Sequence, residues 1–187
     1  MFAINHAATA LVLKKNFPGI SIAWLLISVQ FVELLWVGLN YLGIEITTTD
    51  PAVTSVANIH LAHMPYSHSI IMTLLFATGA WLAIGKFLTK PKLGIAIAIG
   101  ISSHIVLDLL THTADIAFIP GGALKIGLGL YSIPFIGFVA ETVYGIWCWW
   151  IYKGSRKLLA VIVFFNLTNL SFFTSMIVGP ESLLANR

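Results

Sequence analysis

The residues of this chain that can do chemistry stand at the edges and insides of its most apolar segments. "HMPYSHS" (His63–Ser69) opens one long hydrophobic run, and "SHIVLDLLTHT" (Ser103–Thr113) lies inside another. In the second stretch His104, Asp108 and His112 recur every four residues. On a helix that spacing leaves neighbours on one face, so His104 and Asp108 offer an imidazole and a carboxylate side by side. Such groups bind Zn, with Mn, Fe or Mg as alternatives. An ionised Asp in a membrane-grade segment is costly without a strong partner. That cost favours a metal over a plain hydrogen-bonded Asp–His pair. His112, at the expected helix exit, reads equally well as a solvated residue.

His63 and His68 are expected on either side of a helix start, with Pro65 at the first helical position. The free N–H groups of such a turn can bind an anion such as phosphate. Ser67 and Ser69 would add hydroxyl donors to that substrate site, although capping and packing explain both serines too. His60 reads as a surface loop histidine. Gln30, Glu33 and Asn40 form a polar stripe in an oily segment; Glu33 there is a ligand, a proton carrier or a buried neutral acid. Glu141 in "FVAETVYG" is a general base, a partner to a ligating histidine, or helix glue. His6 in "INHAATA" is a further metal candidate.

The elements that must position these groups belong in lipid. The chain has 187 residues, 58% hydrophobic and 9% charged, with a mean hydropathy of +0.94. A soluble domain carries about 25% charged residues. We therefore expect one all-α polytopic membrane domain over residues 1–187, with five spanning helices and a short N-terminal helical segment over 2–13. The spans are Ser21–Leu42, about Pro65–Ile84, Leu93–Leu110, Ile133–Tyr152 and Leu158–Val178. The N-terminal charges follow the apolar stretch, the wrong order for a cleaved signal peptide. Cys148 is the single cysteine, so an intrachain disulfide and a multi-cysteine metal site are excluded, and it reads as a packing residue. Asn166 and Asn169 in "NLTNLS" lie in an apolar run and read as interhelical hydrogen-bonders rather than glycosylation acceptors.

Charge orients the bundle. Lys14, Lys15, Lys86, Lys90, Lys92, Lys153, Arg156 and Lys157 fall in alternate turns, while Lys125 and Arg187 fall in the others. Basic turns stay cytoplasmic. Glu45, Asp50, Asp115 and Glu181 share the opposite side. That orientation brings His6, His63, His68, His104 and Asp108 to one level in the outer half, with Glu33 nearer the middle. The scattered basic residues suit a membrane topology, not nucleic-acid binding.

With these residues in view, the chain resembles the bacterial family of membrane-bound metal-dependent hydrolases, small inner-membrane proteins distantly similar to zinc-dependent phospholipases C. The early histidine of that family corresponds to His6. Its "HRxxTHS" is similar to His63, His68 and Ser69 here, with Met64 in place of Arg and Ser67 in place of Thr. Its "HxxxD" corresponds to His104 and Asp108. The resemblance covers about residues 1–150. The chain departs from it in lacking "PDxD", the nearest acid being Glu33. The resemblance implies a hydrolase in a bacterial or archaeal cytoplasmic membrane, acting on a membrane lipid or amphiphilic substrate. The metal set would be His6, His63, His68, His104 and Asp108, with Glu33 or Glu141 as base. The same buried polar groups would also serve a proton-coupled transporter, a bis-histidine haem protein or a non-catalytic membrane subunit.

Overall fold

The computed structural model describes residues 1–174. It is mostly helical, with α1 (Ala3–Asn16), α2 (Ile22–Tyr41), α3 (Ile70–Ala80), α4 (Pro91–Thr111), α5 (Pro134–Tyr152) and α6 (Arg156–Thr168). A π-helical stretch, Trp81–Phe87, continues α3. By length and hydropathy three helices can cross a membrane: α2, α3 with its continuation, and α4. This is fewer than the five expected. α5 has 19 residues, with Glu141 inside it, and is not among those three. α6 has 13 residues, and the last part of the expected span to Val178 lies outside the described residues, as do Glu181 and Arg187.

The short first helix is central. α1 has 14 residues, about 21 Å at 1.5 Å per residue. It packs against α2, α4, α5 and α6, burying Asn5, His6, Ala8, Thr9, Ala10, Leu11 and Leu13. Small residues allow the close approach. A Cβ at Gly145 of α5 would lie 2.7 Å from Asn5 Oδ1, and one at Gly100 of α4 would strike the Ser28 hydroxyl of α2.

The loops are not plain coil: two short hairpins stand beside the mostly helical bundle. β1 (Ile46–Thr49) pairs antiparallel with β2 (Ile59–His63), in register Thr47 to Leu61 and Thr49 to Ile59. β-branched Ile and Thr fit this pleat. Asp50 ties the turn by accepting from Asn58 Nδ2 at 2.8 Å and from His60 Nε2 at 3.1 Å. Those bonds, Asn58's first, hold its carboxyl below the usual carboxylate range. A second hairpin joins β3 (Ile116–Ala117) to β4 (Lys125–Ile126). Lys125 Nζ donates to the carbonyls of Leu61 and Ala62, fastening the two hairpins together.

α3 starts later than expected. Its N-cap residue is Ser69, and Pro65 lies in the preceding turn. The cause is Glu45. Its carboxylate accepts from the Tyr66 and Ser67 amides at 2.9 and 2.8 Å, so these N–H groups hold a turn instead of opening a helix. Apolar clusters then bracket the buried polar groups. Ala10, Leu13, Leu25, Val29 and Ala96 pack toward the lysine-rich turns. Leu61, Met64, Ile105 and Ile116 pack under the hairpins.

Candidate metal centre

α4 supplies the two central groups, as their spacing requires. His104 and Asp108 are fully buried, and His104 Nε2 lies 3.1 Å from Asp108 Oδ2. His68, from the turn before α3, brings its Nε2 to 3.5 Å from the same Asp108 Oδ2. Glu33 of α2 places Oε2 at 3.7 Å from His104 Nε2. Yet His104 Nε2 and Asp108 Oδ2 make no hydrogen bond. Ligand atoms around a tetrahedral ion with bonds of 2.0–2.1 Å stand roughly 3.3 Å apart. The separations of 3.1, 3.5 and 3.7 Å fit that edge. Buried polar atoms outside hydrogen-bond geometry are costly, and one cation would satisfy these two, which otherwise meet only as a pair 3.1 Å apart. Two groups have ligand atoms close enough to share a metal ion: the buried His6, His104 and Asp108, and the half-buried Glu33 with the buried His68 and His104.

The far nitrogens of both inner histidines are committed, which fixes which nitrogen faces the site. His104 Nδ1 lies 2.9 Å from the Val29 carbonyl, so it must donate, and in the neutral ring this leaves the Nε2 lone pair for a metal. For His68 the logic runs through a chain. Ser67 Oγ donates to Glu45 Oε2, a carboxylate that can only accept. His68 Nδ1, 3.0 Å from that hydroxyl, therefore donates to it, and its Nε2 lone pair faces Asp108. Glu45, Ser67 and His68 are all buried. Carboxylate-anchored imidazoles of this kind surround metal ligands.

His6 reaches the cluster from α1. Its ring stacks on that of His104, with centroids 3.7 Å apart and an interplanar angle of 7°. Its Nε2 lies 3.0 Å from Asp108 Oδ1, the other carboxylate oxygen. The amino group of Met1 also meets that oxygen and lies 2.9 Å from Thr111 Oγ1.

Glu141, read from the sequence as a base, a partner to a ligating histidine or helix glue, joins helices here. Its carboxylate accepts from the Phe2 amide, from Asn5 Nδ2 at 2.7 Å and from the Tyr131 hydroxyl. No side chain of its own caps α1, and Glu141 takes that place from α5. Burial, and then the nearby Glu141 carboxylate, hold the Tyr131 phenol well above its ordinary value, so it remains a donor. Asn5 also exchanges amide hydrogen bonds with Asn166 of α6, at 2.9 and 3.3 Å. The residue before His6 is thus locked on two sides. Asn166 does join helices as expected, whereas Asn169 is the C-cap of α6.

Three other expected residues lie elsewhere or act differently. His63 is exposed on β2, where it pairs with Ile46, and is outside the cluster. Strand pairing turns it away from the turn that carries His68. Ser69 is buried, but its hydroxyl makes no hydrogen bond. Ser67 serves His68 instead of an open anion site. His112 caps the end of α4, 3.5 Å from Asp115. His60 belongs to the hairpin turn, and Cys148 is a buried packing residue. Glu45, Asn5 and Tyr131 had no signal in the sequence as site residues, since each acts across elements far apart in the chain.

Comparison with protein-family models, curated proteins and solved structures finds no match. The geometry alone therefore carries the functional reading.

Proposed function

We propose that this protein is a metal-dependent hydrolase of the membrane's outer half, acting on a phosphoester or acyl bond of a lipid-like substrate. The observation that carries the reading is the buried set His68, His104 and Asp108, linked by separations of 3.5 and 3.1 Å, with Glu33 at its edge 3.7 Å from His104 and with His104 Nε2 and Asp108 Oδ2 left without hydrogen bonds. His68, His104 and Asp108 would hold the ion, zinc being the best match for this nitrogen and oxygen donor set. His6 orients Asp108 through its other oxygen. Bound there, a zinc ion lowers the pKa of water and polarises the substrate oxygen.

Glu33 stands on the open side of the group. Its side chain is 28% exposed, while those of His104, Asp108, His6 and His68 are 5% or less. A carboxylate at the rim can take the proton of an attacking water and return it to the leaving group. The order of His6, His68 with Ser69, and His104 with Asp108 supports kinship with membrane-bound metal-dependent hydrolases. The lysine-rich turns support an outward-facing site.

The test uses zinc-loaded protein and a phospholipid mixture, with product release followed by mass spectrometry. Wild type releases products. Glu33→Gln retains zinc and loses activity by about 100-fold or more, the usual contribution of a general base. Loss of zinc in that variant would make Glu33 a ligand, and absence of product from every lipid class would overturn the hydrolase reading.

A further inference from the structure

We infer that the metal centre opens sideways into the bilayer, through the seam between α1 and α2 at Glu33, so that its substrate is a membrane-resident amphiphile delivered from the lipid. The inference rests on the proposed site and adds its route of access.

The loop side of the site is shut. Leu61, Met64, Ile105 and Ile116 are each 5% exposed or less and pack with Trp36, Ile70 and Leu109 over the buried groups. Trp36 Nε1 donates to Thr47 Oγ1 at 3.2 Å, pinning the first hairpin to α2. The bonds of Glu45 to Tyr66 and Ser67 lock the turn beside it. A water-borne substrate would have to break this roof.

The side wall is different. Glu33 is the exposed member of the group. Gln30, one turn earlier on the same side of α2, donates to the Ala3 carbonyl of α1 at 2.9 Å, at the protein surface. That bond forms a sill below the opening. Ala3 itself is exposed, and Val37, one turn beyond Glu33, is 53% exposed. α2 is long and apolar enough to cross a membrane, and Glu33 lies eight residues before its end at Tyr41. At 1.5 Å per residue that is about 12 Å below the helix end, a depth where the solvent is hydrocarbon. An opening at that depth admits lipids and excludes water-borne solutes.

Two measurements in lipid nanodiscs test this. First, a nitroxide is attached to C148S/E33C protein without metal. Collisions with oxygen, which concentrates in the bilayer, should exceed those with a water-soluble nickel chelate. Dominant nickel collisions would show an aqueous opening and overturn the proposal. Second, zinc is removed from C148S protein by phenanthroline, which partitions into lipid, and by EDTA, which does not. Phenanthroline should act at least tenfold faster, and Ala3→Trp or Val37→Trp should slow it several-fold. Val143→Trp, on an exposed face of α5, should not. Equal rates for the two chelators, or no effect of either seam variant, would overturn the route. Failure to bind zinc would instead remove the metal reading, and the nitroxide result would still decide where the seam opens.

Discussion

At the scale of single residues, the site depends on which nitrogen each histidine turns inward. The Glu45–Ser67–His68 chain fixes this for His68. Ser67→Ala should weaken zinc binding about 10- to 100-fold, the usual effect of losing such a partner. Ser67→Thr keeps the hydroxyl and should restore most of it. Competition with a chromophoric chelator measures both. Wild-type affinity in Ser67→Ala would show that His68 does not need the chain. Part of this was legible in the sequence. The i, i+4 pair of His104 and Asp108 needs only helical geometry, and the structure brings them together. His63 was misplaced because "HMPYSHS" was read as a helix start, and a carboxylate from Glu45, 21 residues before Tyr66, ties up those amides instead.

At the scale of elements, α1 is the piece that completes the centre, and glycine lets it approach. Gly145→Leu would drive a side chain into Asn5, against which even a Cβ would stand at 2.7 Å. Overpacking of this kind costs about 1–3 kcal/mol, and shifting Asn5 moves His6. We expect lower thermal stability in detergent together with weaker zinc binding. Gly79→Leu, where a Cβ meets nothing within 4 Å, is the control. The first hairpin carries its own pH dependence. The Asp50 carboxyl is held below its usual range by Asn58 and His60. A depressed carboxyl stabilises fully above its unfolded value, near 4, and the effect fades as pH falls through the lower folded value. Hydrogen exchange at the Thr54 and Ser55 amides, which donate to Asn58 Oδ1, should therefore accelerate below about pH 4. Asp50→Asn should remove that step. The hairpins escaped sequence reading because runs such as "ITTT" are too short to distinguish a strand from a polar turn.

At the scale of the whole molecule, a bundle of apolar helices encloses a polar knot that no single helix could carry alone. Composition and hydropathy made the membrane class legible, and three helices meet its length requirement. The arrangement around α1 was not legible, because Asn5, Glu141, Tyr131 and Asn166 meet only after folding. The lysine-rich turns of α1–α2 and α3–α4 border one cavity of about 840 Å³, which contains Lys90 and Lys92. The two turns thus lie at one end of the bundle, the end that the charge rule expects to face inward. A C148S/T48C protein, carrying its thiol on the exposed β1, should react in intact cells with an impermeant maleimide. Reaction only after lysis would invert the topology and move the site to the inner leaflet.

The central claim is that the buried histidines and Asp108 hold a metal ion. Elemental analysis of detergent-purified protein, supplied with zinc and then desalted, tests it most directly. We predict about one zinc per chain in wild type and loss of it in the H104A/D108A variant, with the helical circular dichroism retained. Metal-free wild-type protein, or equal zinc in the folded variant, would contradict the account.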